Sequence, residues 1–388
     1  MLGSHAVTQR LWRILSRGSL GRATATKRVS SPLEELRALS TSSGERNKPL
    51  KQWTLVVNPF SSVRVHLRCS ISVSPLDPHS FPAANRALIT VNGTRADQGL
   101  KLDNFHVQYD ERSKELLIVS ENVNSNVSVD LSAPIKSDLH ITASGEGNVT
   151  IQEMESDTCQ VVTENGDCDL HAIKSHRVVV RSAGGNVRCT GTIHGNVDIS
   201  TSGNSTVNIK KIQGTRMNVS TERGALRVKA IYADSTSVSS SSGNITLGSV
   251  QESHGLWFIS VPAFPDGSSG CLTVSSRDGD VDAYVGQRGS AQLRSQHGSV
   301  SVRVPASMRA AVLLYGVSVD VSPEVDLREA RRHSTDTHTT VTAFLNGKDE
   351  GGQWIKAWAE EGVVTLKSQS WLESLKIESQ NSAGQQIG

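Results

Sequence analysis

The chain has 388 residues, 36% of them hydrophobic and only 4% aromatic, with 32 glycines and a net charge of +2. Such a length can bury a large core, and few aromatics beside abundant Gly, Ser, Thr, Val and Asn favour short strands and tight turns. No stretch approaches 18 consecutive apolar residues, so no helical membrane span is expected.

Residues 1–33 contain no acid but hold Arg10, Arg13, Arg17, Arg22, Lys27 and Arg28. Leu11, Trp12, Ile14 and Leu15 form a short apolar face beside them. An Arg-rich, acid-poor, amphipathic start reads as a mitochondrial transit peptide, whereas a secretory signal needs an unbroken apolar run. The stretch Arg37-Ala38-Leu39-Ser40 resembles a matrix-protease site, so residues 1–39 are expected to be disordered and removed near Leu39 and Ser40. Seven of the 40 basic and two of the 38 acidic residues lie in that segment, which leaves the remainder at −3. A nucleic-acid partner needs a basic patch in the folded part, and none is expected.

Residues 50–140 read as an irregular β region that caps the more regular chain beyond it. Residues 63–73 alternate as a strand, 74–85 hold three prolines, and 105–119 read as a hairpin with a polar turn. Residues 127–134 form a strand stopped by proline.

Residues 141–370 carry an internal repeat. Turn glycines at Gly147, Gly166, Gly185, Gly203, Gly224, Gly243, Gly279 and Gly298 are separated by 19, 19, 18, 21, 19, 36 and 19 residues. A second row in phase with them is Ile173, Ile193, Ile212, Ile231, Val250 and Val285. Apolar and polar residues alternate between turns, as in a strand with one buried face. The fold expected is all-β: a parallel β-helix or solenoid with rungs of about 19 residues, an N-terminal β cap and a disordered targeting segment.

The glycines are expected to supply positive φ. The residues after them, Asn148, Asp167, Asn186, Asn204, Asn244 and Asp280, are expected to stack in a ladder. Three Asn-x-Thr triplets then arise from turns rather than from selection for glycans. Five cysteines without a CxxC pair suit a reducing compartment. Rung alignment sets Cys168 over Val187 and Cys189 beside Leu170, as small core residues rather than metal ligands.

The 36-residue step is one rung plus about 17 residues. Aligning Leu272 with Thr236 places the extra segment at 256–270, which holds Trp257, Phe258 and Phe264. Solenoid insertions lie on one face and often bind, so these three rings are the candidate partner-binding site. The blander reading packs them on the solenoid flank. Residues 325–340 read as a charged surface excursion, 354–358 and 362–367 as last rungs, and 377–388 as a disordered tail.

No phosphate loop, HExxH or GxSxG elbow occurs. Asp167 and Asp280 stand about five rungs apart, on the order of 24 Å at ~4.8 Å per rung, too far for paired acid–base work. Asp278, Asp280 and Asp282 read as a solvated turn, and His333 and His338 as solvated surface residues. No catalytic, cofactor or metal residues are expected.

The recurring Ser-x-x-Gly-x-Val-x-Val rung, the 127–134 entry strand and the 354–366 exit rung resemble the bacterial "putative adhesin" β-solenoid family. That resemblance implies the solenoid fold and, by the family's name, adhesion. It carries no site residues over, and the targeting segment departs from a surface protein. The expected function is non-enzymatic binding or scaffolding in the mitochondrion, in the matrix, toward an unknown protein or polymer. The alternatives are a β-helix carbohydrate-active enzyme and a secreted adhesin-like protein.

Overall fold

A computed structural model describes residues 48–93, 105–120, 127–251, 271–287, 289–348 and 352–369. Residues 1–39 with the following Ser40, expected to be a targeting segment cut near Leu39, the tail after Gln369, and the insertion with Trp257, Phe258 and Phe264 lie outside the described residues.

The repeat becomes a parallel stack. Successive rungs pair in register, with Ile141 on Val161, Val161 on Val180, Val180 on Ile199, Ile199 on Val219 and Val219 on Val238. The same column continues through Val274, Leu293, Ala357 and Leu314. Every member is buried. One rung exposes half of such a strand, so stacking is what removes these side chains from water, at about 25 cal/mol per Å² of apolar area. The expected Ile193, Ile212, Ile231, Val250 and Val285 row also holds. Thr236 pairs with Leu272, as the sequence alignment across the insertion requires.

The turn glycines have a different reason from the one expected. A Cβ on Gly166 would overlap the carbonyl of Gly147, one on Gly185 that of Gly166, and the same holds for Gly243, Gly279, Gly298 and Gly362 against the rung before. None of these has positive φ, whereas other glycines do, among them Gly145 (69°) and Gly203 (65°). The residue is needed because stacked turns approach backbone to backbone. Gly203 is outside the column. The rung there is 20 residues long, Val187 pairing with Val207, and Ser205 takes the place.

The ladder shifts likewise. Asn148 Oδ1 accepts from the Asp167 amide (2.8 Å), Asp167 Oδ1 from the Asn186 amide (2.8 Å), and Asn186 Oδ1 from the Thr206 amide (3.0 Å). Asn244 and Asp280 repeat the pattern to Asp280 (3.0 Å) and Ser299 (2.8 Å). Asn204 is not a member and accepts from Arg223 Nε instead (3.0 Å).

Both ends break sequence order. The strands Ser62–Leu67 and Ser70–Pro75 slot between Glu115–Val119 with Ser128–Ala133 on one side and Asp138–Ala143 with Val149–Gln152 on the other. The parallel stack thus reaches back into the 50–140 stretch. Antiparallel cover comes from Lys48–Val56, Arg86–Gly93 and His106–Asp110. At the far end, Trp354–Ser368 is not the last rung. It inserts between Ser290–Ser295 with Val300–Val304 and the strand Ala310–Val321. Thr339–Leu345 and Leu327–Ser334 close that end antiparallel, so the charged 325–340 stretch contains an edge strand. Charge on an edge discourages pairing with other chains.

Cys159, Cys168 and Cys189 are buried core residues, with Cys168 paired to Val187 and Cys189 to Leu170 as expected. Burial pushes the thiols of Cys69, Cys159 and Cys189 up to about 12 and that of Cys168 well above its usual range. Thiolate is the reactive form. Iodoacetamide at neutral pH is therefore expected to spare these four in the folded protein and to label them after denaturation, read by peptide mass spectrometry. Rapid native labelling of Cys159 or Cys189 contradicts the packing.

Candidate functional site

A groove of about 510 Å³ runs along one corner of the stack. Its floor is set by the register. Ser156 pairs with Ser175, and Gly195 and Gly214 follow at the same corner in the next rungs. A Cβ on Gly195 would overlap the Ser175 carbonyl, and one on Gly214 the Gly195 carbonyl, so only backbone fits there. The Ser156 and Ser175 hydroxyls lie 2.9 Å apart.

On the side preceding this column stand Lys136, Glu155, Lys174 and His194, with Glu155 paired to Lys174 and Lys174 to His194 across rungs. Glu155 bridges Lys136 (2.7 Å) and Lys174 (3.7 Å). The Lys136 hydrogen bond, aided by both lysine charges, lowers its pKa. Burial first, then Lys174 and Lys211, lowers that of His194. On the following side stand Asp157, His176, Asn196 and Thr215. Phe60, 72% exposed, lies at the rim. The groove offers interleaved donors and acceptors over bare backbone. That suits holding an extended chain more than activating a bond.

The insertion roots at this same corner. Gly214 pairs with Ala233, Tyr232 with Gln251 and Ser235 with Cys271. Gln251 and Cys271, the described residues on either side of the insertion, thus lie one rung beyond the corner Ala233-Asp234. The sequence reading of the candidate site did not include the groove. A signal was present, because Lys136, Glu155 and Lys174 recur at 19 and 19 residues with alternating charge and His194 follows after 20.

The acids weighed for catalysis are each engaged. Asp167 accepts from the Asn186 amide and pairs with Arg188 (3.1 Å), Asp280 accepts from Ser299, and Asp282 pairs with Arg303 (2.8 Å). Asp278 pairs with Arg277 (3.1 Å) and His297 (3.7 Å). They hold turns and neighbouring rungs together. Among the described residues, no group of three His, Cys, Asp or Glu side chains is placed to hold a metal ion. His333 is exposed, but His338 is not a solvated residue. It stacks on Tyr315 at 5.0 Å and its Nε2 lies 2.8 Å from the Glu360 carbonyl.

Solved structures similar to the chain include a "putative adhesin" from Parabacteroides merdae (9% identity, 82% of this chain and 96% of that one, TM-score 0.41). A "putative lipid binding protein" from Parabacteroides distasonis is similar at 11% identity over 65% of this chain and 96% of that one (TM-score 0.39). A "putative adhesin" from Bacteroides fragilis is similar at 11% identity, covering 82% and 96% (TM-score 0.27). Likeness at this level says nothing of what this chain binds. The family model is a stronger match, covering residues 83–257 and again 195–367, which span most of the stack. With the repeat, its parallel register and this match together, the chain belongs to the Toastrack DUF4097 family.

Proposed function

We propose that the protein is a non-enzymatic binding or scaffold protein of the mitochondrial matrix, offering its corner groove and adjoining insertion to a protein or polymer partner. One observation carries the reading: the groove and the strand ends that flank the insertion, Gln251 and Cys271, lie along one corner of the stack. The engagement of Asp167, Asp280 and Asp282 in turn and rung contacts supports binding over catalysis. The acid-free, Arg-rich start supports the matrix address.

The test is proximity labelling in cells, read with organelle fractionation and protease protection. A specific set of labelled matrix neighbours is expected. Lys174→Glu, or Ala at Trp257, Phe258 and Phe264 together, is expected to remove at least part of it. An unchanged set in both variants ends the corner as the site. Secretion with a glycosidase-sensitive mobility shift at Asn148 or Asn244 ends the matrix reading and favours the adhesin-like alternative.

A further inference from the structure

The outward face at the C-terminal end of the stack concentrates aromatic side chains. In Trp354–Ser368, the buried Ile355, Ala357 and Ala359 alternate with Trp354, Lys356 and Trp358, which therefore face out. The neighbouring strand Ala310–Val321 turns Ala311, Leu313 and Tyr315 outward, because Val312 and Leu314 are buried. Thr339–Leu345 adds Phe344 between the buried Ala343 and Leu345. Register brings these together: Trp354 beside Ala311 beside Phe344 in one row, and Trp358 beside Tyr315 beside Thr340 two rows on. Four of the chain's 16 aromatic residues thus share one patch of three strands.

Three properties narrow the occupant. First, the charges around the rings are largely matched. Arg294 pairs with Glu360, Lys348 with Glu329 (3.7 Å) and Arg328 with Asp326 (3.0 Å). Lys356, Arg309, Arg331 and Arg332 add cations without a carboxylate partner among the described residues, but Lys356 lies 4.7 Å over the Trp354 ring and Arg332 donates to the Val319 carbonyl (3.5 Å). Matched charge favours a neutral ligand over a polyanion. Second, the patch spans about 13 Å along the strands and about 10 Å across them. That is far below the ~800 Å² each partner gives a standard protein interface, so a single narrow chain fits better than a second folded surface. Third, backbone groups in a sheet's face are already paired, so a peptide laid on it leaves its own amides unmet. A sugar ring instead lays its C–H face on an aromatic ring and keeps its hydroxyls at the rim, where ion-paired side chains and water can bond them.

We propose that this face is a non-catalytic carbohydrate platform that takes a flat, neutral glycan chain. Trp358 and Tyr315 stack one sugar ring, while Trp354 and Phe344, parted by the small Ala311, flank another. His338, stacked on Tyr315 (5.0 Å, 8° between planes), holds that ring in place. The proposal rests on the reading of the protein as a binder and makes the polymer a glycan.

The test uses the purified protein with cellohexaose, N-acetylchitohexaose and the curled maltohexaose, followed by calorimetry. A polyuridylate strand and phosphatidylserine vesicles serve as anionic probes. At least one of the two flat hexaoses is expected to bind more tightly than maltohexaose. Trp358→Val, which keeps a strand-forming residue, and separately Trp354→Ala are each expected to weaken it about tenfold, a loss of ~1.4 kcal/mol. An unchanged far-ultraviolet spectrum guards against misfolding, and one well-folded variant suffices. No hexaose binding, or variant-sensitive binding of polyuridylate or vesicles instead, overturns the platform and leaves the corner groove reading standing. Recovery of a bound hexaose in shortened form keeps the platform and overturns the non-enzymatic reading.

Discussion

Gly166→Ala is expected to destabilise the stack sharply, while Gly145→Ala, in the turn one rung earlier, is expected to be mild. The added methyl at Gly166 meets the Gly147 carbonyl, a backbone group that cannot rotate away. Forcing extra volume into a packed site costs about 1–3 kcal/mol, and more when backbone must shift, so a loss of roughly 3 kcal/mol is expected. At Gly145 nothing lies within 4 Å, and the only penalty is a left-handed φ of 69°, about 1 kcal/mol for a residue with a Cβ. Asn substitutions sharpen the contrast. Asn tolerates left-handed φ, so Gly145→Asn is expected to be nearly silent and Gly166→Asn as damaging as alanine. Chemical denaturation of the four variants decides it. Equal effects at the two sites would mean that conformational freedom, and not close approach, selects the turn glycines.

Ending the chain after Lys348 is expected to unfold its C-terminal third, although the lost residues follow every other described strand. The missing rung is internal. Ile355, Val364 and Leu366 are fully buried in it, and burying each such side chain contributes about 1.5–3 kcal/mol. Together that rivals the roughly 5–15 kcal/mol that holds a typical domain. Loss of the rung also bares Ser290–Ser295 and Val300–Val304 on one side and Ala310–Val321 on the other. Hydrogen exchange should show protection lost from about residue 290 onward, with aggregation through the open edges. A chain ended after Gln369 keeps all described rungs and is the control. Retained protection at 310–321 in the shorter chain would contradict the out-of-order insertion. The same topology predicts slow folding, since Ala291 meets Ile355 across 64 residues of chain and such closures are entropically costly.

Much of the stack is legible in the sequence. The alternation at Val178 and Val180, the Ile193–Ile212–Ile231 row and the alignment of Thr236 with Leu272 all reappear as registered pairs. Each rung repeats the same information, so an error at one turn is corrected by its neighbours. The one error of register came where the period slipped to 20 residues. Gly203 looked like a column member by sequence and was displaced by Ser205. The candidate site was less legible. Lys136, Glu155 and Lys174 recur at the rung spacing, but nothing in a single rung says that their corner is hollow. That follows from Gly195 and Gly214 meeting carbonyls in adjacent rungs.

By itself the sequence determined the rung length, the inward face, most of the polar ladder and the alignment of Thr236 with Leu272 across the insertion. These depend on local alternation and on a repeat that every layer restates. Only the tertiary structure decided that the entry and exit rungs are threaded out of order, and that Trp354, Trp358, Tyr315 and Phe344 share one surface. The physical reason is that outward residues are not selected by burial, so they carry no periodic signal. Their company is set by which distant strand completes the sheet, and that choice is made by edge pairing across tens of residues rather than by any stretch of chain alone.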